Sequence, residues 1–170
     1  PFIVKTAQNN QAKQNPAFLS SADIMPTILG AMGLDSLCPR GIHGRNLASA
    51  FQTDIGIELP KSALYIKNID GKRDQDNKVA DYFPVSRGIK TKRYSLALEI
   101  DDNANLSCIL FFDNSDDPYQ LHNLSFTPSA PLERSLLAAL AEELVRTNDP
   151  WATEQVLAEL LPYQLFTNQG

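Results

Sequence analysis

Two cysteines, Cys38 and Cys108, are the side chains of this sequence that could act as thiolate nucleophiles. A phosphatase-type loop has the spacing Cys-x5-Arg, which places an anion between the thiolate and the guanidinium fork. Six residues separate Cys38 from Arg45, so this chemistry is not predicted. Two thiols so far apart also do not form the framework of a disulfide-rich protein or a zinc site. We interpret Cys38 as a loop or packing residue.

The aspartates between Asn68 and Asp81, together with His43, are the next candidates for chemistry, as metal ligands. The acidic segment lacks the Asp-x-Asp-x-Asp-Gly register and the distal bidentate glutamate of an EF-type calcium loop. A histidine without a second ligand at helical or strand spacing is usually structural or solvated. We therefore predict a solvated loop at 68–81 and assign no metal ligand.

Composition restricts the class of protein. The chain has 170 residues, 43% of them hydrophobic and 21% charged, which is typical of a globular domain with a core. A net charge of -5 argues against nucleic-acid binding, because such surfaces need clustered cations. No apolar run approaches the roughly 20 residues that span a bilayer, and the first residues lack the layout of a signal peptide.

Residues 1–60 carry signals for a buried strand and an apolar helix. The consecutive apolar residues 2–4 predict a strand buried on both faces, as in a parallel α/β sheet. Residues 20–23 supply N-cap candidates for a helix with Pro26 in its first turn and Gly33 at its C-terminal stop. A short second helix is predicted to end near Phe51. The first helix should pack its apolar side against a sheet, and that side consists of Ile24, Met25, Ile28, Leu29 and Met32.

From Lys61 onward the pattern predicts strands. Alternation along 94–100 indicates one buried and one wet face, and further strands are predicted at 63–67, 85–91 and 108–113. Pro131 begins a helix that should cover this sheet with an apolar stripe of Leu132, Leu136, Leu137, Leu140, Leu144 and Val145. A last helix is predicted from Trp151 to Leu161. The fold class is α+β: a small antiparallel sheet of three or four strands, covered by a C-terminal helix and preceded by a strand and a helix.

Two stretches resemble the C-terminal portion of type I sulfatases, in the alkaline-phosphatase-like superfamily. Residues 86–94 read Ser-Arg-Gly-Ile-Lys-Thr-Lys-Arg-Tyr, and residues 110–124 read Leu-Phe-Phe-Asp-Asn-Ser-Asp-Asp-Pro-Tyr-Gln-Leu-His-Asn-Leu. In that family a strand of the type R-(A/G)-(I/V)-(R/K)-T-x-R-Y precedes one of the type L-(Y/F)-D-(L/N)-x-x-D-P-x-(E/Q)-x-x-N-L. Residues 21–30, Ser-Ala-Asp-Ile-Met-Pro-Thr-Ile-Leu-Gly, and the turn Gly-Arg-Asn-Leu at 44–47 extend the resemblance.

The resemblance implies two regions with different origins. Residues 1–60 would be the tail end of the sulfatase N-terminal α/β domain, with their strand and helix at the edge of its larger sheet. Residues 61–170 would be the C-terminal subdomain of antiparallel sheet and helix. Such a chain is expected to pack on the catalytic domain, to help wall the substrate cleft, and to be inactive alone. Its expected partners are the missing N-terminal catalytic domain, the sulfated substrate of the parent and, for the isolated chain, a second copy. A periplasmic or secreted parent is also implied.

The catalytic groups of the family are not found in this sequence. Type I sulfatases use a hydrated formylglycine and a divalent cation, usually calcium, in a metal-assisted ester hydrolysis. The formylglycine precursor lies in Cys-x-Pro-x-Arg, whereas this chain reads Cys38-Pro39-Arg40, and the family's metal-ligand motifs do not occur. We therefore assign no catalytic, metal or cofactor residue.

Four cations of this chain match the basic strand of the family: Arg87, Lys90, Lys92 and Arg93. The resemblance implies that some of them reach bound anionic substrate, although we favour the simpler interpretation of surface or interdomain cations. Two alternatives stay open for the whole chain. One is the tail of a phosphonate or phosphate ester hydrolase of the same superfamily, and the other is a free-standing interaction module. The module is disfavoured because residues 2–4 and the first helix look like parts of a larger sheet's surroundings.

Overall fold

The computed structural model describes residues 2–5, 12, 14–52, 59–67, 72–73, 79–81, 85–101 and 105–153. The chain divides into two compact units, Pro1–Ala63 and Leu64–Gly170. The division lies close to the boundary that the resemblance implies. Assignment of the first unit to a larger α/β domain stays a prediction.

The first unit is organised around α1 (Ser21–Ala31). Its N-terminus has a capping box, in which the Ser20 backbone N–H donates to the Asp23 carboxylate at 2.8 Å. Its C-terminus stops at Gly33, which has a φ of 71° and is followed by a Leu34 N–H bond back to the helix. The predicted helix and its stop are confirmed. Pro26 lies in the second turn instead of the first, because the helix begins as early as Ser21.

The turn at 44–47 packs closely against α1. A Cβ atom on Gly44 would lie 1.9 Å from the Ala22 carbonyl oxygen, the acceptor that Pro26 leaves without its helical donor. The Arg45 N–H donates to Asp23 Oδ1 at 2.6 Å. A short 3-10 turn, Asp35–Leu37, and the short helix α2 (Ser49–Gln52) complete the first unit's regular structure in the described residues.

Two predictions for the first unit differ from the structure. Residues 2–5 form no strand, because a strand requires a hydrogen-bonded neighbour and no ladder reaches them among the described residues. The buried residues of α1 are Asp23, Pro26 and Thr27, whereas much of its apolar side faces outward. The Asp23 carboxylate and the Thr27 hydroxyl accept hydrogen bonds from the backbone of the 44–47 turn. The turn therefore covers the polar side of the helix.

The second unit contains two sheets, apart from Ser62 and Ala63 of the first strand, which fall in the first unit. The strands are β1 (Ser62–Lys67), β2 (Lys72–Arg73), β3 (Val79–Asp81), β4 (Val85–Thr91), β5 (Tyr94–Ile100) and β6 (Leu106–Asp113). The main sheet has the order β1-β4-β5-β6, with β4, β5 and β6 antiparallel in sequence, which confirms the α+β fold class and its small sheet. The loop predicted at 68–81 is wrong in part, because β2 and β3 pair there as a short hairpin. Ladders this short leave no detectable period-two pattern.

Helix α3 (Pro131–Arg146) covers one face of the main sheet. Directly paired residues project to the same face, and the row Ile89, Leu96, Phe111 lies in the core with the helix. The helix contributes Leu136, Leu137, Leu140, Ala141 and Leu144 to that core. Leu132 and Val145, predicted in the stripe, are exposed at its margins, and Ala141 is buried instead.

The segment after α3 begins with a 3-10 turn, Pro150–Thr153. It buries Trp151 in the core. The remainder of the last predicted helix, 154–161, lies outside the described residues. In the part of the chain that the structure describes, no helix is both long and apolar enough to span a membrane.

Candidate functional site

Arg87, the first of the four predicted site cations, is buried on the helix side of the sheet. Its Nε donates to Asp149 Oδ2 at 2.9 Å, and both side chains are only 7% exposed. Its Nη1 donates to the Ser86 carbonyl oxygen at 3.1 Å, and its guanidinium carbon lies 5.0 Å from the Trp151 ring centroid. Its charge therefore holds the segment after α3 against β4.

Lys90 and Lys92 lie at the other end of β4 and are exposed. Lys90 pairs in register with Ser95, on the face opposite α3, whereas Arg87 three positions earlier faces the helix. Neither lysine makes an ion pair within the described residues. The structure therefore places the four cations on different sides of the sheet and does not bring them together into one cluster.

Arg93 lies in the turn of the β4–β5 hairpin, directly before β5, and binds the end of β6. Its Nε donates to both carboxylate oxygens of Asp113, at 3.1 and 2.8 Å, and its Nη2 lies 2.7 Å from Asp113 Oδ2. Asp113 also accepts the Ser115 N–H at 3.0 Å, which starts the next turn. Arg93 thus fixes the hairpin to the residues that follow β6, although its side chain stays 55% exposed.

Residues 113–124, which we call the 113–124 turn, are held by a polar cluster at the end of the sheet. Gln120 Nε2 donates to Asn114 Oδ1 at 2.7 Å and to Ser95 Oγ at 3.0 Å. Asn114 in turn donates to the Arg93 carbonyl oxygen, through its backbone N–H at 2.7 Å and its side chain at 2.9 Å. Gln120 has a φ of 55°, in the left-handed region that few non-glycine residues adopt. Its side-chain bonds account for this conformation.

The second half of the turn is bound to the sheet edge. The Phe111 N–H donates to Asn123 Oδ1 at 2.7 Å, and Asn123 Nδ2 donates to the Ile109 carbonyl oxygen at 3.0 Å. Asn123 thereby covers backbone groups of the edge strand β6. The His122 N–H donates to Asp117 Oδ2 at 2.7 Å. The motif residues Asp113, Asn114, Asp117, Gln120 and Asn123 therefore build one ordered turn.

The carboxylates of this turn have shifted pKa values. The hydrogen bond from Arg93 holds the pKa of Asp113 below its ordinary value, and the same bond raises the pKa of Arg93. The hydrogen bond from the His122 N–H lowers the pKa of Asp117. Both carboxylates are thus held in their charged form as acceptors, which suits a structural role better than proton transfer near neutral pH.

The described residues contain no group of three or more His, Cys, Asp or Glu side chains that could hold a metal ion. The described carboxylates of the first unit act as hydrogen-bond acceptors. Asp23 accepts hydrogen bonds from two backbone N–H groups, and Asp35 accepts one from Asn46 Nδ2 at 2.5 Å. Cys38 and Cys108 are free thiols of intermediate burial. Among the described residues, no set of side chains matches the ligands of the family's divalent cation. We assign no catalytic step to these residues.

Comparisons with known proteins identify relatives of the whole chain. No protein-family model matches it. An endo-4-O-sulfatase of Bacteroides thetaiotaomicron is 42% identical, over 96% of this chain and 32% of the relative. An ulvan-active sulfatase of Formosa agariphila is 27% identical, over 99% of this chain and 31% of the relative. A solved structure from work on glycosaminoglycan metabolism by Bacteroides thetaiotaomicron is 44% identical with a TM-score of 0.74, and covers 88% of this chain and 31% of that one.

These relatives confirm the resemblance that the motifs indicated. The chain is a C-terminal portion of a sulfatase. It spans about a third of the length of the curated relatives that it matches.

Sequence reasoning missed the partners that determine what the site cations do. Asp149 lies 62 positions from Arg87, and nothing in the local pattern links the two. Arg93 and Asp113 could have been paired from their motifs, because Arg93 directly precedes β5 and Asp113 ends its antiparallel neighbour β6. The role of Gln120 in holding the turn is visible only from the hydrogen bonds of its side chain.

Proposed function

We propose that this chain is the non-catalytic C-terminal region of a sulfuric ester hydrolase, which packs on the catalytic domain and helps to wall the substrate cleft. The observation that carries the proposal is the 42% identity with an endo-4-O-sulfatase along 96% of the chain. The catalytic domain would supply the formylglycine nucleophile and the divalent cation, usually calcium, as the resemblance implies. A periplasmic or secreted location of the parent belongs to the same proposal.

Sulfated polysaccharide is the substrate class that we propose for the parent. It is supported by the names of the relatives, an endo-4-O-sulfatase and an ulvan-active sulfatase. Lys90 and Lys92 are the cations of this chain that could contact such an anion, because they are exposed and carry no ion pair within the described residues. Arg87 and Arg93 already bind Asp149 and Asp113, so we propose the lysines ahead of them.

Sulfate-release assays of two samples test whether this chain is non-catalytic by itself. The full-length protein that contains this chain is expected to release sulfate from a sulfated polysaccharide or an aryl sulfate, and the isolated chain is expected to release none. Sulfate release by a purified isolated chain would contradict the non-catalytic role. Hydrolysis of a phosphonate monoester in place of every sulfate ester would favour the related phosphorus ester hydrolases.

The lysines are tested in the full-length protein with matched substitutions. Lys90→Gln and Lys92→Gln are expected to raise KM for a sulfated polysaccharide while leaving kcat/KM for a small aryl sulfate unchanged, because in this proposal the lysines contact the polysaccharide away from the sulfate group that is hydrolysed. Lys61→Gln, at an exposed lysine outside the basic strand, serves as the control. Unchanged KM for the polysaccharide in both hairpin variants would leave these lysines as surface cations.

A further inference from the structure

The 113–124 turn exposes apolar side chains although its backbone is firmly held. Tyr119 is 82% exposed, Leu121 is 74% exposed and Leu124 is 41% exposed. Single exposed apolar residues are normal on protein surfaces. Three within six positions of one ordered turn form a patch of the kind that marks interaction sites.

Three polar side chains of the turn are occupied by bonds within the turn and to the sheet, whereas Asp116 and His122 stay 80% and 83% exposed. Gln120 bonds to Ser95 and Asn114, Asn123 bonds to the edge of β6, and Asp117 accepts the His122 N–H. A carbohydrate site needs several polar groups placed to bond with hydroxyls, and Gln120, Asn123 and Asp117 are already used. The exposed Tyr119, Leu121 and Leu124 instead match the core of a protein–protein interface, which is rich in aromatic residues, and Asp116 and His122 match its polar rim.

The turn is also ordered before any partner binds. Side-chain bonds fix Gln120 in its left-handed conformation and attach Asn123 to the sheet. A surface already fixed in its binding conformation loses little conformational entropy when it docks. A flexible loop would lose more conformational entropy on docking. The internal bonds of the turn therefore favour binding to one partner in one fixed geometry.

The length of the relatives indicates what that partner is. They are about three times as long as this chain, which covers 32% and 31% of them. We propose that the 113–124 turn docks through Tyr119, Leu121 and Leu124 onto the catalytic part of the longer sulfatase. This inference rests on the proposed function and names the surface that makes the contact.

Thiol labelling of the full-length protein tests the docking. Leu121→Cys places a reporter in the patch, and Ser129→Cys places one at an exposed position of the loop before α3. We expect the native Leu121→Cys protein to react with a maleimide on the order of tenfold more slowly than the Ser129→Cys protein, since labelling requires local opening. In denaturant the two rates should be equal. Mass spectrometry of each peptide separates these thiols from Cys38 and Cys108.

The unsubstituted protein provides a second measurement that does not depend on the variant folding. Hydroxyl-radical oxidation of Tyr119 is expected to be weak in the native full-length protein and strong after denaturation. Rapid labelling of Leu121→Cys, or full oxidation of Tyr119, in a native sample would overturn the docking. Protection that arises only after a sulfated polysaccharide is added would also overturn it, and would make the turn a carbohydrate site.

Sulfate release by the same samples separates the two proposals. A protein that hydrolyses sulfate esters while the patch stays accessible keeps the proposed function and loses the docking. A protein with a protected patch and no sulfate release keeps a docked turn and loses the proposed function.

Discussion

Arg87 is held from three directions in the second unit, by a carboxylate, a carbonyl oxygen and an aromatic ring. Burial of a charge is unfavourable unless a partner of opposite charge and hydrogen bonds compensate for the lost hydration. Asp149 supplies the charge, and it also accepts the Trp151 N–H at 2.9 Å. One carboxylate therefore couples the end of α3, the 3-10 turn after it and strand β4.

Removal of this carboxylate should destabilise the second unit strongly. We expect Asp149→Ala to lower the free energy of unfolding by about 3–5 kcal/mol, because it leaves the buried Arg87 charge uncompensated. Asp149→Asn, which keeps an acceptor oxygen, should lose less. Urea unfolding followed by the fluorescence of Trp151, the single tryptophan of the chain, measures both. A loss below about 1 kcal/mol in the alanine variant would show that the pair contributes no more than an exposed ion pair.

Ser86 presents the opposite case, a buried hydroxyl without a partner. Its side-chain oxygen has no hydrogen bond in the described part of the chain, and an unsatisfied buried polar group costs about 1–3 kcal/mol. We expect Ser86→Ala to be neutral or to stabilise by about 1 kcal/mol. Ser95→Ala is the matched control, because that hydroxyl bonds to Asn114 and Gln120 and its loss should destabilise. The same sign for both variants in urea unfolding would contradict this reasoning.

At the scale of elements, the 113–124 turn depends on charge as well as on hydrogen bonds. Arg93 connects the β4–β5 hairpin to Asp113, and the folded-state pKa of Asp113 lies below its unfolded value. A carboxylate with a lowered pKa stabilises the fold above its unfolded pKa, and this stabilisation is lost as the pH falls through the folded value. Asp117 has a shift of the same direction, so its contribution disappears in the same window.

A fall in pH from neutral to acid values should therefore weaken the turn. We expect the urea midpoint to fall as the pH drops below about 4, the range of an unperturbed aspartate, and the fall to be smaller in Arg93→Gln. Lys92→Gln serves as the control, since Lys92 has no ion pair within the described residues. Urea unfolding at a series of pH values from neutral to acid gives the comparison. Identical pH profiles for the Arg93 variant and the unsubstituted chain would exclude the pair as the cause.

The elements differ in how far the sequence could predict them. Helices α1 and α3 and strands β4, β5 and β6 have local signals, namely caps, Gly33, Pro131 and apolar periods, and the structure confirms them. The β2–β3 hairpin is too short for a period, and residues 2–5 have strand composition without a neighbouring strand among the described residues. The Arg87–Asp149 pair joins positions far apart in the chain, so only the folded sheet brings them together.

At the scale of the whole molecule, apolar side chains remain exposed in both units. The second unit has the patch on the 113–124 turn, and the first unit presents Met25 and Ile28 of α1 together with Met32, the C-cap residue of that helix, which is 65% exposed. Leu37, in the 3-10 turn after α1, is exposed as well. Such surfaces match the proposal that this chain packs on a larger sulfatase domain, which would cover them.

The isolated chain should therefore associate through the apolar side of α1. Association buries surface that water solvates poorly, and the helix is ordered by its capping box and its Gly33 stop before it binds. We expect sedimentation velocity to show a concentration-dependent dimer or larger species, and Ile28→Ser with Met32→Ser to shift it toward monomer. The matched control is Leu132→Ser with Val145→Ser, exposed apolar residues of α3. A strictly monomeric chain at high concentration would show that the exposed side of α1 does not drive pairing, and equal dissociation by both double variants would show that the contact is unspecific.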